Sequence, residues 1–520
     1  MNESNLIDSL MQQARLQPQA ALFASDTQSI AFAEMNRRAN QLANALRSLD
    51  IGPGSRVAIL GRSQVDCALL VFAAMKIGAA CVPVNWRFSV EEIRFVLEDS
   101  GARVLIADTE FSAQGAQAAG PGGVCVFLTD CEADDPARLD LWCAGFDDQL
   151  PPRDVLPDDA AIHMYSSGTT GRPKGVVLTH RGLVSACEVI AQAWKLDRNA
   201  VLAHALPTFH IAGMLQLLFP IYVGCRCVIF REFQPEVFLR ALSGEKITHV
   251  LVVPAMIGFL LAHPVSRTLD FASLRLMAYG GSPITEPVLE AAMEVFGCDF
   301  SQIYGLTEVC GVVTALTAED HRRGAGLLRS AGRPMPRTAL RIVDPLTLAD
   351  LEDGRVGEVW IRSDRNFKAY WQKSEATQEA FPEGRDAEGG WFRSGDAGYL
   401  QDGYLFLSDR IKDMIVSGGE NIYPAEVENT LMKHPDVADG AVIGVPDAVW
   451  GESVKACVVL RPGATANADH IIDFMRERIA HFKCPKTVDF VAALPRTESG
   501  KLLKRDLRAP YWAGHLRAIH

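Results

Sequence analysis

The sequence predicts an α/β protein: a large N-terminal domain of layered sheets and helices, followed by a smaller α+β C-terminal domain. Three observations carry this. The chain has 520 residues, more than one hydrophobic core usually supports. Short apolar runs of strand length alternate with helix-length stretches through its first part. After a polar stretch near Asp409 the alternation restarts on a smaller scale.

Arg56–Leu60, Cys81–Val84, Val104–Ala107 and Ala161–Met164 read as strands of largely parallel sheets. Ser89 is a candidate N-cap for a helix through Leu97, whose apolar residues recur at helical spacing and should cover one sheet face. Gly115 to Gly123, rich in Gly, Ala and Gln, lacks periodicity and reads as a surface loop. Gln401-Asp402-Gly403 is a turn signal ahead of the strand Tyr404–Leu407, and Ser408–Asp413 is polar. The boundary is therefore set at 409/410, giving domains 1–409 and 410–520. In the second, a helix opens at Tyr423-Pro424, strands follow at Gly440–Val445 and Ser453–Leu460, and a further helix spans Asp469 to Ala480. No internal repeat is visible.

Lys and Arg number 51 against 63 Asp and Glu, a net charge of −12, which argues against a general nucleic-acid surface. The polar start, MNESNLIDSLMQQARLQPQ, lacks the basic and apolar regions of an export signal. The longest apolar run, Val250 to Ala262, is broken by Pro254 and Gly258 and falls short of the ~18 residues of a membrane span. Twelve cysteines without repeated CxxC spacing fit a reduced cytoplasm, and Cys225 and Cys227 read as lining one face of a strand. The expected partner is a small molecule, with self-association as a homodimer left open.

The most informative segment is Tyr165 to Gly175, YSSGTTGRPKG. Ser166, Ser167, Thr169 and Thr170 supply hydroxyls, Gly168, Gly171 and Gly175 let backbone N–H groups approach an anion, and Lys174 adds a cation. A Walker loop is excluded by spacing, because Gly171 is followed by Arg172-Pro173-Lys174-Gly175. An unliganded surface turn is the competing interpretation of such a stretch taken alone.

The SSGTTGxPKG pattern resembles the signature loop of the adenylate-forming superfamily, which includes acyl-CoA synthetases, luciferases and peptide-synthetase adenylation domains. Six further segments resemble its signatures in the expected order: Pro207–Gly213, Tyr279–Pro283, Tyr304–Glu308, Arg393–Asp396, Asp409–Asp413 and Pro495–Lys501. They extend the resemblance over nearly the whole chain, most closely to a bacterial fatty-acyl-CoA or aryl-CoA ligase.

The resemblance implies a reaction and its residues. ATP and a carboxylic acid give acyl-AMP and pyrophosphate, and CoA then gives the thioester. Glu308 and Thr169 would hold Mg²⁺ on the phosphates, the oxygen ligation this hard cation favours. Lys501 would stabilise charge developing between acid and α-phosphate. With the loop, Gly280, Gly281, Ser282, Tyr304, Gly305, Thr307, Asp396 and Arg410 would form the nucleotide site, Tyr304 stacking on adenine and Asp396 accepting from the ribose hydroxyls. A mobile C-terminal domain would turn about Lys412, withdrawing Lys501 and bringing Ser417, Gly418, Gly419, Glu420 and Asn421 to a CoA channel.

The acid itself should meet Ile211, Ala212, Gly213 and Met214 after His210, and Val309, Cys310, Gly311 and Val312 after Glu308. None carries charge, which disfavours dicarboxylates and amino acids and leaves an apolar monocarboxylic acid. Medium- or long-chain fatty acids lead; aryl and alicyclic acids follow. His210 either stands at the pocket mouth, with a part in catalysis, or is a satisfied core residue. Only 19 residues follow Lys501, too few for a carrier domain, so CoA is the expected acceptor and a separate carrier protein the alternative. A regulator without catalysis would predict loss of catalytic positions, yet Thr169, Glu308, Asp396, Arg410 and Lys501 are all present.

Overall fold

The computed structural model describes residues 5–25, 28–62, 64–121, 124–129, 132, 135, 137–149, 154–166, 173–282, 284–324, 326–386, 389–417, 420–447, 449–496 and 502–513, with backbone alone at 64, 409, 410, 412, 420 and 421. Contacts divide the chain into two compact units. The first comprises Met1–Leu328, Met335–Ala339 and Arg362–Phe392; the second comprises Arg329–Pro334, Leu340–Ile361 and Arg393–His520. The fold is mixed α/β in a large N-terminal and a smaller C-terminal part, as the alternation of apolar runs predicts.

The first unit carries two sheets. One runs in the order Ala369–Tyr370, Lys174–Thr179, Ala160–Ser166, Ala80–Val84, Arg56–Leu60, Val104–Asp108, Cys125–Thr129. Its strands from Ala80–Val84 onward are parallel, with Val57 opposite both Cys81 and Val104. Every residue of Ala80–Val84 and Val104–Asp108 is buried, which is why these strands read as continuous apolar runs rather than alternating ones. Ser89 caps the helix Val90–Ser100: its hydroxyl accepts from the Glu92 N–H at 3.3 Å, and the Glu92 carboxylate accepts from the Ser89 N–H at 2.8 Å.

The stretch expected as a loop from Gly115 is instead helical, within Ser112–Ala119. Ala and Gln are good helix formers, and Gly115 lies against the strand below it, where a Cβ would come within 3.2 Å of Leu105 Cδ2. Small residues, rather than an apolar stripe, let this helix sit close to the sheet.

The other sheet of this unit contains, in order, Thr314–Leu316, Asp299–Tyr304, Leu276–Gly280, His249–Val252, Val201–His204, Arg226–Ile229, Ala21–Ala24 and Ser29–Ala31. The six strands from Asp299–Tyr304 to Ala21–Ala24 run parallel, so their carboxyl ends share one edge. Cys225 precedes its strand by one residue and, like Cys227, is buried and free. The helix Gln64–Lys76 is buried from Cys67 through Lys76 and packs with Phe32–Ser48 and Ile211–Val223. Being apolar all round, it is an interior helix.

The strand Trp391–Gln401, which lies in the second unit from Arg393 on, forms a hairpin with Tyr404–Arg410 turning at Asp402-Gly403, both at positive φ (52° and 79°). A further sheet has the order Glu420–Ile422, Ile415–Ser417, Gly451–Leu460, Val437–Asp447, and Thr487–Phe490 pairs in parallel with Gly451–Leu460. Helices Pro424–Leu431 and Ala468–Arg476 contribute Val427, Leu431, Ile471 and Met475 to its core, with Ile415, Val442 and Val454 from the strands. The second helix ends before the expected Ala480, where its apolar residues give way to Arg476-Glu477-Arg478.

Candidate nucleotide and acid site

The strands Ala160–Ser166 and Lys174–Thr179 form an antiparallel hairpin with Tyr165 opposite Gly175 and Ser166 opposite Lys174. Ser167, Gly168, Thr169, Thr170 and Gly171 lie outside the described residues. The base of the hairpin is fixed. Tyr165 donates its hydroxyl to Asp99 Oδ2 at 2.8 Å, and burial, reinforced by that bond, pushes its pKa well above the usual phenol value. A strap at residues 366–371 clamps the other strand: Lys368 N–H donates to Val177 O (2.8 Å) and Trp371 N–H to Gly175 O (2.7 Å). The Trp371 indole donates to Asp99 O at 2.9 Å, joining the strap to the same helix end that holds Tyr165.

The same strap reaches Glu308. Phe367 N–H donates to Glu308 O at 2.7 Å, and the Tyr370 hydroxyl donates to Glu308 Oε1 at 3.1 Å. The Lys174 ammonium stands 5.1 Å from the centroid of the Tyr370 ring, within cation–π range. The hairpin, the strap and Glu308 therefore form one assembly. Tyr370 was not singled out by the sequence, since nothing in Asn366–Trp371 marks it before folding.

Glu308 lies in a 3₁₀ turn, Thr307–Val309, just beyond the carboxyl end of Asp299–Tyr304. Gly280 and Tyr304 end neighbouring parallel strands, so with Gly281, Ser282, Gly305 and Thr307 they gather at the sheet edge where open α/β folds bind ligands. Gly305 is sterically obligatory. A Cβ there would lie 2.0 Å from Gly311 O, because the chain folds back on itself after Glu308.

That turn meets the helix Ile211–Val223. A Cβ at Gly311 would touch Ile211 Cγ1 at 3.0 Å and Leu215 Cδ1 at 3.1 Å, so the segments expected to enclose the acid are brought together. Gly213 serves close packing, since a Cβ there would lie 2.1 Å from Pro207 O. Met214, Val309 and Cys310 are buried, and the Cys310 thiol faces Gly182 on the helix His180–Ala193. Ile211 and Leu215 thus pack directly on Gly311.

His210 is the N-cap residue of that helix, makes no capping bond, and is exposed. Its ring packs on Phe209, with centroids 4.6 Å apart. Although water reaches one side, the surrounding protein and then the nearby Arg87 charge push its pKa down to about 4, so it is neutral at pH 7.

Two buried polar groups support the site from behind. Arg365 is fully buried and donates to Val312 O (3.3 Å), Ser185 Oγ (3.1 Å) and Pro336 O (3.0 Å). His204, on the strand leading to Pro207, bonds through Nδ1 to Gln216 Oε1 at 2.8 Å, and Gln216 donates to Leu251 O at 2.8 Å. The amide oxygen thus faces the imidazole, so Nδ1 carries the proton.

In the second unit Asp396 is 8% exposed, pairs in register with Arg410, and donates its N–H to Ser394 Oγ at 3.0 Å. Only the backbone of Arg410, Lys412 and Glu420 is described; Gly418, Gly419 and Lys501 lie outside the described residues. Among the described residues no three His, Cys, Asp or Glu side chains gather as a metal cluster. A hard cation here would rest on Glu308 together with ligand oxygens, a combination that suits Mg²⁺ and phosphates. No described helix is long and apolar enough to cross a membrane.

Family models agree with this geometry. One described as an AMP-binding enzyme matches residues 10–371, and one described as the AMP-binding enzyme C-terminal domain matches 426–501. The chain belongs to the AMP-binding enzyme family. It is similar to the fatty acid–[acyl-carrier-protein] ligase ScoC of Streptomyces coeruleorubidus, 36% identical over 516 residues, covering 98% of this chain and 96% of that one. A feruloyl-CoA synthase from Amycolatopsis sp is 38% identical over 500 residues, covering 96% and 97%. The solved structure of a Mycobacterium tuberculosis fatty acyl CoA synthetase superposes with a TM-score of 0.80 at 34% identity, covering 99% of each chain. This AMP-binding enzyme is a member of the adenylate-forming superfamily and an AMP-forming acid–thiol ligase.

Proposed function

We propose that this AMP-binding enzyme is an ATP-dependent acyl-CoA synthetase that activates an apolar monocarboxylic acid through an acyl-adenylate and transfers the acyl group to CoA. The observation that carries this reading is the convergence of Glu308, Tyr370 and Lys174 beside the phosphate-loop hairpin, at the same sheet edge as Gly280 and Tyr304. The attacking carboxylate and the phosphate chain are both anions. A cation held by Glu308, with Thr169 completing its protein ligands, screens their repulsion. Tyr304 and Gly280–Gly281 take the adenine, Asp396 and Arg410 the ribose, and Lys501 the developing charge at the α-phosphate.

The segments Ile211–Met214 and Val309–Val312, assigned to the acid, carry no charge and pack together at Ile211 and Gly311. That supports medium- or long-chain fatty acids first and aryl or alicyclic acids next; the relatives act on both fatty and aryl acids, by their names. A carrier protein in place of CoA is the alternative acceptor, as the name of the Streptomyces relative indicates for that protein. Residues 410–520 then act as the mobile domain, turning about Lys412 to exchange Lys501 for Gly418, Gly419 and Glu420. A cytoplasmic location accords with CoA and ATP as substrates.

The test is a panel of aliphatic, aromatic and alicyclic acids supplied with ATP and Mg²⁺, followed as acid-dependent pyrophosphate release and then as AMP release with CoA. Turnover of fatty acids with CoA is expected. Turnover of amino acids or dicarboxylates alone would refute the pocket assignment, and no acid-dependent pyrophosphate from folded protein would refute the reaction.

A further inference from the structure

Building on that reading, we propose that Tyr370 is a positioning residue for the adenylation step: its hydroxyl fixes the orientation in which the Glu308 carboxylate meets the metal–ATP complex. Glu308 sits on a short 3₁₀ turn, and the strap holds it at both its backbone and its carboxylate. Phe367 N–H holds the backbone carbonyl at 2.7 Å and Tyr370 holds Oε1 at 3.1 Å.

Tyr370 is itself fixed. Its N–H donates to Thr377 Oγ1 at 3.0 Å, its ring packs on Phe367 with centroids 4.6 Å apart, and it pairs in register with Val176 on the phosphate-loop hairpin. The ring also faces the Lys174 ammonium. One side chain thus touches both the carboxylate and the lysine of the hairpin strand, the arrangement by which an outer partner orients a metal-binding carboxylate.

Tyr370→Phe isolates the hydroxyl, because the ring, and with it the contacts to Phe367 and Lys174, is retained. The binding of Mn²⁺ to the ATP-loaded protein, without any acid, is read from water-proton relaxation, so no turnover is needed. Tyr370→Phe should weaken it on the order of tenfold, with melting temperature and the KM for the acid unchanged and the kcat of pyrophosphate release lowered. In a Glu308→Gln background the same change should have no further effect on Mn²⁺ binding. Unchanged Mn²⁺ affinity in Tyr370→Phe, or an equal loss in the Glu308→Gln background, would overturn the proposal. Acid-dependent pyrophosphate release by the unmodified protein tests the reaction separately: if it occurs while Tyr370→Phe binds Mn²⁺ normally, only the positioning role fails.

Discussion

Arg365 donates its Nε–H to the carbonyl oxygen of Val312 at 3.3 Å from a side chain with no exposed surface. Val312 closes the turn that begins at Glu308, so a buried guanidinium anchors the back of the candidate metal ligand's loop. The same group reaches Ser185 on the helix behind, Asp364 beside it at 3.3 Å, and Thr338. A planar fork of five donors serves carbonyls, hydroxyls and the half-buried Asp364 carboxylate from a side chain that is itself fully buried.

Arg365→Met should therefore destabilise the protein by about 1–3 kcal/mol, because it removes the buried donor to Val312 O, while Asp364 keeps its bonds from Ser185 Oγ. Arg365→Lys should recover little, since an ammonium offers three donors from one point. Urea unfolding of both variants checks this. A lysine variant as stable as the parent would show that the fork geometry is immaterial.

Three glycines make a second test of packing against propensity. Gly213→Ala places a better helix former in Ile211–Val223, yet its Cβ would lie 2.1 Å from Pro207 O; Gly305→Ala would lie 2.0 Å from Gly311 O. Both obstacles are backbone, so both variants should lose stability and pyrophosphate release. Gly258→Ala, in the helix Pro254–Ala262 with nothing within 4 Å of its Cβ, should instead gain about 0.5–1 kcal/mol. Thermal melts rank the three, and a neutral Gly305→Ala would contradict the tight return after Glu308.

The contrast between these residues and the sequence signals is physical. Parallel strands such as Val104–Asp108 were legible because burial on both faces leaves an uninterrupted apolar run, and the Ser89 N-cap because it directly precedes a run of helical periodicity. The helix Ser112–Ala119 was not, because its packing depends on small residues instead of an apolar stripe. Within the site, Gly280, Tyr304 and Glu308 stand in recognisable segments. Tyr370, Asp99 and Arg365 do not: their partners Glu308, Tyr165 and Val312 lie 62, 66 and 53 residues away, and a buried arginine looks in sequence like any surface charge.

Stability should decline as pH falls below about 6.5. Burial depresses the His204 pKa to about 4, and burial followed by the Arg56 charge depresses His163 to about 3, against 6.5 as the unperturbed value. Between those values the unfolded chain binds more protons than the folded one, so stability rises with pH: it is complete above 6.5 and lost as pH drops through the folded pKa. Each ring contributes a slope on the order of 1 kcal/mol per pH unit. Urea midpoints at pH 7.5, 6 and 5 measure the slope, and His163→Phe, which keeps an aromatic ring 5.0 Å from Trp371, should flatten it. An unchanged slope in that variant would mean His163 is protonated in the folded protein.

Lys501 gives the sharpest test of the proposed reaction. The described residues on either side of it are paired: Arg496 bridges to Leu502, Leu503 N–H donates to Pro495 O at 2.9 Å, and Arg496 pairs with Asp439 at 2.8 Å. Lys501→Ala should cost acyl-adenylate formation ~3 kcal/mol or more, by analogy with removing one fixed donor from a charged transition state. Thioester formation from supplied acyl-adenylate and CoA should persist, because that half-reaction is assigned to a conformation from which Lys501 has been withdrawn. Measured separately, equal loss of both half-reactions would place Lys501 in both and remove the reason for a domain rotation about Lys412.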